Sequence, residues 1–209
     1  MEQSSGNSVV PETLIPEQHQ GIHKELHEVA EFPEESAAGA AFQTAKARLL
    51  NVNGWTETAV GESAEFRLCD TGGEPLTRSA AEGDLVRIRL PGAKRPDGIY
   101  DWVRLASVRE GVDADGCPWI LLTTQPVADP QEPSADTAHF FDDGSTGTFI
   151  IRLNGTQVEG NHYGRNELPN TDGGILEKAR ALVVTIGAYL GMSDVQWRNL
   201  VKGLLGLEK

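Results

Sequence analysis

The densest group of side chains that could do chemistry follows Gly160. There, His162, Arg165 and Glu167 bring an imidazole, a guanidinium and a carboxylate close together in the chain. A histidine beside a carboxylate can act as a general acid or base when the geometry is right. The same side chains could instead orient a ligand inside an apolar pocket. A third interpretation is a core histidine whose nitrogens are satisfied by protein neighbours or bound water.

A second group combines arginine with an aromatic side chain. Alternation of apolar and polar residues predicts that Arg87, Arg89, Trp102 and Arg104 share one face of two strands, because the apolar residues between them must face the core. Arginine interleaved with aromatic rings can contact phosphates or hold a carboxylate in a fork. The alternative is an ordinary solvated face with Arg–Glu pairs. We treat this group as the candidate site for an anionic ligand or partner.

Metal and cofactor chemistry has little support. His19, His23 and His27 stand four residues apart, a spacing at which two imidazoles on one helix face can share a metal ion. A working site would also need a third ligand and supporting partners, so we interpret these histidines as a solvated face. The sequence has no phosphate-binding glycine loop, G-x-S-x-G or H-E-x-x-H motif. We therefore predict no metal and no cofactor.

The candidate residues must be positioned by strands. Period-two alternation predicts six strands, over 66–69, 84–90, 99–109, 119–124, 148–153 and 156–163. Asn154-Gly155 is typical of a type I′ turn, which would pair Leu153 with Thr156. In this hairpin Phe149 and Ile151 share the predicted core face with His162. Arg152, Gln157, Glu159 and Asn161 share the opposite face, which we expect to be solvated.

Helical periodicity flanks the strands on both sides. Apolar residues at helical spacing predict a short helix over 17–30 and a second over 36–49. Near the C-terminus, a helix over 175–190 has a wide apolar stripe and should lie across the sheet. A last helix follows Ser193, which fits a capping box. The polar residues up to Pro16 are interpreted as a flexible arm.

Composition limits the classes of protein that remain. The chain has 209 residues, of which 39% are hydrophobic, and a formal net charge of −13. This acidity argues against nucleic acid and anionic membranes as partners, and it would suit a high-salt cytoplasm. Two cysteines argue against a disulfide-stapled secreted fold. The absence of a long apolar run or a signal peptide leads us to expect a cytoplasmic protein without a membrane span.

The sequence therefore predicts the α+β class, in two segments. Residues 1–33 form an acidic N-terminal arm with a short helix, and residues 34–209 form one α+β domain. We expect a curved antiparallel sheet of about six strands, or a partly closed barrel, packed by N-terminal and C-terminal helices.

This layout resembles the helix-grip arrangement of START-like lipid-binding proteins. The resemblance concerns the order and packing of elements, with the long helix lying across a curved sheet. The sequence departs from that family at both ends. The family begins with a strand before its first helix, where we predict a helix, and it ends on its long helix, whereas this chain adds another.

The expected function is non-catalytic binding. We expect either a small apolar or amphipathic ligand held between sheet and helix, or a docked protein partner. The predicted ligand-binding residues are His162, Arg165, Glu167, Phe149 and Ile151. The alternative is a small hydrolase or isomerase centred on His162, which would require His162 and Glu167 to converge in a cleft.

Overall fold

The computed structural model describes residues 12–61, 63–89, 100–131, 144–168 and 195–208. The strands are β1 (Ile22–Glu31), β2 (Glu65–Cys69), β3 (Leu85–Arg89), β4 (Asp101–Val112), β5 (Pro118–Pro126), β6 (Thr146–Asn154) and β7 (Gln157–Glu167). The helices are α1 (Glu35–Leu50), α2 (Trp55–Thr58) and the helical residues 195–205, here called α3. Short 3-10 turns cover Glu12–Leu14 and Val52–Gly54.

The strands form one antiparallel sheet in the order β1-β7-β6-β5-β4-β3-β2. Strands β2 to β7 are neighbours in chain order, as expected for a meander, and β1 joins the far edge by pairing with β7. The sheet is curved and open, with β1 and β2 at its two edges. The predicted α+β class and curved antiparallel sheet are confirmed, with seven strands instead of six.

The additional strand is β1, and the helix predicted over 17–30 is wrong. Leu26 and Ala30, the buried residues of β1, are four positions apart, which suits one face of a helix and equally one face of a strand. Pairing of Ile22–Glu31 with β7 decides between the two. Gly21 precedes the strand with a φ of 70°, which interrupts any helix there. A strand therefore does precede the first helix, as in the START-like arrangement.

The main core lies on one face of the curved sheet, which we call the concave face, and we call the opposite face the convex face. Apolar side chains of α1 and α3 pack there against the inward-facing residues of the strands. The shared cluster includes Phe42, Leu49, Leu105, Leu122, Phe149, Ile151, Leu200 and Leu204. The helix predicted over 175–190 lies outside the described residues, so its packing across the sheet stays a prediction.

The N-terminal segment covers part of the convex face. Leu14 and Ile15 pack against Leu121 and Ile150, which are buried on that face. The following residues are tied down by Asn166, whose Oδ1 accepts hydrogen bonds from the amides of His19 and Gln20 at 2.7 and 3.2 Å. The arm predicted to be flexible is therefore docked from at least Leu14 onward, because its two apolar residues find an apolar surface.

The β6–β7 hairpin has a different turn from the one predicted. Asn154 is opposite Gln157 and Leu153 is opposite Val158, so the central turn residues are Gly155 and Thr156. Only Gly155 has a positive φ, at 57°, whereas a type I′ turn needs a positive φ at both central residues. The predicted faces survive, because every pairing moves by two residues and the alternation is unchanged.

Among the helices in the described ranges, none combines the length and the apolar character that crossing a membrane requires.

Candidate functional site

His162 lies on the concave face of β7, the second strand from the β1 edge of the sheet. It is opposite Phe149 of β6 and Leu26 of β1, so the three side chains form one row across the sheet. Directly opposite residues point to the same face, and all three side chains are buried. The predicted position of His162 on the core face that it shares with Phe149 is confirmed, although the predicted register placed Gly160 opposite Phe149.

Aromatic rings enclose the imidazole. The Phe149 ring centroid is 4.6 Å from that of His162, and the Trp197 ring of α3 stacks on the imidazole at 5.5 Å and 27°. His162 is consequently only 2% exposed. Desolvation, with smaller contributions from the positive charges of Lys24 and Arg165, lowers the pKa of His162 to about 3. The imidazole is therefore neutral at physiological pH.

One imidazole nitrogen has no partner in the part of the chain that the structure describes. Nδ1 of His162 is buried and makes no hydrogen bond to any residue of these ranges. Leaving a buried polar atom unsatisfied costs about 1–3 kcal/mol, and native structures contain few such atoms. An unsatisfied nitrogen at this position therefore calls for an explanation.

The next row of the concave face contains two glycines. Gly147 of β6 is opposite Gly164 of β7, so neither of these two strands carries a side chain at this position. A Cβ built on Gly147 would lie 3.1 Å from Nε2 of His162, and one built on Gly164 would contact the Glu167 carboxylate. The side chains of His162 and Glu167 therefore extend over the glycine pair.

Lys24 completes this group from β1. It is opposite Gly164, and its Nζ lies 3.5 Å from Oε2 of Glu167. The two side chains are only 13% and 7% exposed. We call this group of side chains over Gly147 and Gly164, which comprises His162, Lys24 and Glu167, the polar hollow. It places an imidazole, an ammonium and a carboxylate beside an otherwise apolar core.

Sequence reasoning missed Lys24 because it assigned that residue to a helix. The available signal was the two-residue spacing from Lys24 to Leu26, which puts both on one face once the segment is a strand.

Arg165, predicted to orient a ligand together with His162, lies on the opposite face of the sheet and is not part of the polar hollow. We expected the chain to leave the sheet at Gly164, but β7 continues to Glu167 and alternation turns Arg165 to the convex face. Its Nη2 lies 2.5 Å from Oε1 of Glu25, and its guanidinium lies 5.3 Å from the Tyr163 ring centroid.

Ile151 faces the concave side as predicted but lies away from the polar hollow. It is opposite Gly160, where an added Cβ would approach Val201 of α3 to 2.9 Å. This part of the concave face is filled by helix side chains.

The second predicted group lies together on the convex face. Arg87 is opposite Trp102, and Arg104 is opposite Leu85, which is two residues before Arg87. Trp102 is buried against Cys69 and Leu85, so its ring is not available for stacking on a ligand. Nη2 of Arg104 donates to the Gln125 side chain at 3.1 Å. Arg89 lies 3.8 Å from the Glu65 carboxylate.

A third polar group lies on the convex face of β6 and β7, where a solvated surface was predicted. Arg152 and Glu159 are instead buried. Nε of Arg152 donates to Oδ2 of Asp113 at 2.7 Å, and Nη1 donates to Oε2 of Glu159 at 3.4 Å. Nδ2 of Asn154 also donates to Glu159, at 3.2 Å. We call Asp113, Arg152, Asn154 and Glu159 the Arg152 cluster.

The electrostatics of the Arg152 cluster favour its charged state. Burial by itself would raise the pKa of Asp113, but hydrogen bonds from the Cys117 amide and from Arg152 outweigh burial and lower it. Burial would likewise lower the pKa of Arg152, yet its hydrogen bond to Asp113 and the charge of Glu159 raise it.

The histidines near the N-terminus do not share one helix face, because His23 and His27 belong to β1. Nδ1 of His27 lies 2.7 Å from Oδ1 of Asn161. In the described ranges, no three His, Cys, Asp or Glu side chains are grouped so that they could hold a metal ion.

Comparison of the sequence with known proteins gives no match to a family model or to a curated protein. Among solved structures, the chain is similar to a protein from Thermus thermophilus, with a TM-score of 0.40 and 17% identity over 88% of this chain and 94% of that chain. It is also similar to norcoclaurine synthase from Thalictrum flavum in complex with dopamine and hydroxybenzaldehyde, with a TM-score of 0.35 and 10% identity over 93% and 98%.

A protein from Mycobacterium smegmatis gives a TM-score of 0.34 and 16% identity over 87% of this chain and 90% of that chain. These TM-scores and identities are too low to assign a family or a function. The functional interpretation therefore depends on the residues of this chain.

Proposed function

We propose that this chain is a non-catalytic binding protein that holds a small amphipathic molecule against the concave face. The polar end of the molecule enters the polar hollow, and its apolar part contacts the aromatic side chains around His162. The observation that carries this proposal is the buried Nδ1 of His162, which has no hydrogen-bond partner among the described residues.

The chemistry of the polar hollow fits such a ligand. Small-molecule sites are mostly apolar and contain a few polar groups that fix the ligand's orientation. Here Phe149 and Trp197 supply apolar surface next to His162. A ligand group that hydrogen-bonds to Nδ1 would remove the penalty of the unsatisfied nitrogen.

The pKa of His162 favours binding over the catalytic alternative. A general base works best when its pKa lies near the operating pH, whereas the pKa of His162 is lowered to about 3. Glu167 shares the hollow with His162, which the hydrolase or isomerase alternative requires, but Glu167 also forms an ion pair with Lys24. A neutral imidazole of low basicity is better suited to orienting a ligand than to removing a proton.

The exposed residues give less support to the alternative, in which the chain docks a protein partner. The large exposed hydrophobic residues of the described ranges are Ile22, Val112 and Val195, which belong to β1, β4 and α3. Single apolar residues on different elements are ordinary, whereas protein-binding surfaces present contiguous apolar patches.

A titration with 8-anilinonaphthalene-1-sulfonate tests the proposal, because this probe combines aromatic rings with one anionic group. We expect saturable binding to the wild type by isothermal titration calorimetry. His162→Gln should weaken it by roughly tenfold, corresponding to the loss of about one well-placed hydrogen bond. His27→Gln makes the same substitution on the opposite face and should leave binding unchanged.

Two results would contradict this proposal. One is equal binding by all three proteins, which would place the probe elsewhere on the molecule. The other is a folded His162→Phe variant that binds the probe as the wild type does, because the imidazole nitrogens then have no part in binding. His162→Phe also decides the outcome if His162→Gln binds weakly but has lost its cooperative unfolding transition.

A further inference from the structure

The convex face carries an arginine group distinct from the polar hollow. Arg67 of β2 is directly opposite Arg87 of β3, and Arg89 of β3 is opposite Glu65. Alternation along both strands places these side chains on the convex face, away from the buried Phe66 and the rest of the core. The sequence pattern indicated two of these arginines but not Arg67.

The pairing of Arg67 with Arg87 is unfavourable by itself. Directly opposite residues on neighbouring antiparallel strands have Cβ atoms about 4.5–5.5 Å apart, and like charges there destabilise the sheet. Although the chain has 31 acidic residues, no carboxylate of the described residues forms an ion pair with Arg67 or Arg87. The only nearby ion pair in those ranges joins Arg89 to Glu65 at 3.8 Å, and both side chains are more than half exposed.

The position of Arg87 is fixed by an aromatic ring. Its guanidinium carbon lies 4.4 Å from the centroid of the Tyr100 ring. Stacking of this kind holds the guanidinium plane while leaving its N–H groups able to donate to another acceptor. Arg87 is therefore prepared for an anion before any anion binds.

A shallow cavity lies among these side chains. It has a volume of about 90 Å³ and is lined by Glu65, Phe66, Arg67, Arg87, Arg89 and Tyr100. Three guanidinium groups and one carboxylate give this lining a net charge of +2. The surrounding protein is strongly acidic, so this concentration of positive charge is local.

We propose that the cavity formed by Arg67, Arg87 and Arg89 binds the phosphate group of a small phosphorylated ligand. A phosphate monoester carries about −1.5 to −2 charges at neutral pH, which matches the lining. Its oxygens accept the paired N–H groups of arginine in a geometry that lysine does not provide. Binding would also relieve the repulsion between Arg67 and Arg87.

A small ligand fits this surface better than a nucleic acid strand. A polyanion would approach the whole chain, whose net charge of −13 repels it at low ionic strength. A single phosphate group meets mainly the local charge, because screening limits longer-range interactions to about 10 Å in 0.1 M salt.

Calorimetric titration with inorganic phosphate and with adenosine monophosphate tests this proposal. Both should bind the wild-type chain, and acetate at the same concentration should not. Arg67→Gln should weaken binding by roughly tenfold or more, since a charge-assisted hydrogen bond contributes about 1.5–3 kcal/mol. Arg109→Gln removes the same charge from an exposed position on β4 and should leave phosphate binding unchanged.

The two ligands also distinguish the source of the phosphate. Equal affinities assign the site to the phosphate group alone, while tighter binding of adenosine monophosphate assigns it to a nucleotide. No saturable binding of either ligand overturns the proposal, as does an equal loss in Arg67→Gln and Arg109→Gln. Binding of a single-stranded oligonucleotide without binding of either small ligand would also overturn it.

Discussion

The β6–β7 hairpin buries polar groups on both faces, and two of these groups differ in how far the protein satisfies them. On the convex face, Arg152 donates hydrogen bonds to Asp113 and Glu159, and the positive charge is matched by carboxylates. On the concave face, His162 is buried in its neutral form, and its Nδ1 has no hydrogen-bond partner within the described ranges. The Arg152 cluster is satisfied by the protein itself, whereas Nδ1 of His162 finds no partner among the described residues.

This difference distinguishes a structural cluster from a candidate binding site. A satisfied buried network holds its strands in register and needs nothing from outside. An unsatisfied buried atom lowers stability, so its presence suggests that another molecule supplies the partner. We therefore expect mutations in the Arg152 cluster to lower the stability of the fold, and mutations in the polar hollow to weaken ligand binding.

The largest expected effect on stability is that of Arg152→Met. The substitution leaves the buried carboxylates of Asp113 and Glu159 without their cation, and breaking a buried ion pair in this way costs about 3–5 kcal/mol. Urea denaturation of the wild type and the variant measures the change in the free energy of unfolding. Arg109→Met, at an exposed position, serves as the control and should change it little. If Arg152→Met lowers the free energy of unfolding by less than about 1 kcal/mol, this cluster contributes no more to stability than an exposed surface ion pair.

The second prediction concerns pH. The pKa of His162 is lowered to about 3 in the fold, while an unfolded histidine has a pKa of about 6.5. Between these values only the unfolded state binds the proton, so stability falls as the pH decreases below about 6.5, with a slope approaching 1.4 kcal/mol per pH unit. His162→Phe should reduce the slope measured by urea denaturation between about pH 6.5 and about pH 4.5. An unchanged slope would mean that His162 titrates normally in the folded chain.

The smallest expected effect is that of Gly155→Val, which acts on both clusters through the turn that joins their strands. Gly155 has a φ of 57°, and a β-branched residue resists that conformation at a cost of about 1–3 kcal/mol. Thermal denaturation followed by circular dichroism measures the loss. The control is Thr156→Val, which introduces the same residue in the same turn. Gly39→Val would be less suitable because it also changes helix propensity. A Gly155→Val protein as stable as Thr156→Val would contradict the role assigned to the positive φ.

How much of the fold and of the candidate site can be predicted depends on the kind of pattern in the sequence. Alternation over β6 and β7 was sufficient to place Phe149 and His162 on the core face, because side-chain direction on a strand has a strict period of two. The same rule failed for β1, where the apolar residues Leu26 and Ala30 fit helix and strand equally. That ambiguity hid Lys24, and with it half of the ion pair in the polar hollow.

Tertiary contacts explain the features of the fold that the sequence pattern did not predict. The alternation pattern predicts a solvated strand face at Arg152 and Glu159, yet Asp113 from the β4–β5 connection covers and neutralises it. Leu14 and Ile15 are too short an apolar run to predict docking, but the convex face offers Leu121 and Ile150 to them. In both cases the partner lies far away in the chain, so no local pattern reports it.

The most direct test of the central claim is side-chain ¹⁵N nuclear magnetic resonance of the histidines in the wild-type chain. Our account predicts that His162 stays neutral through the range near about pH 6.5 in which exposed histidines titrate. It also predicts that addition of 8-anilinonaphthalene-1-sulfonate shifts the Nδ1 signal of His162 and leaves that of His27 unchanged. Titration of His162 in the ordinary histidine range, or an Nδ1 signal that the bound probe does not affect, would contradict the assignment of the polar hollow as a binding site.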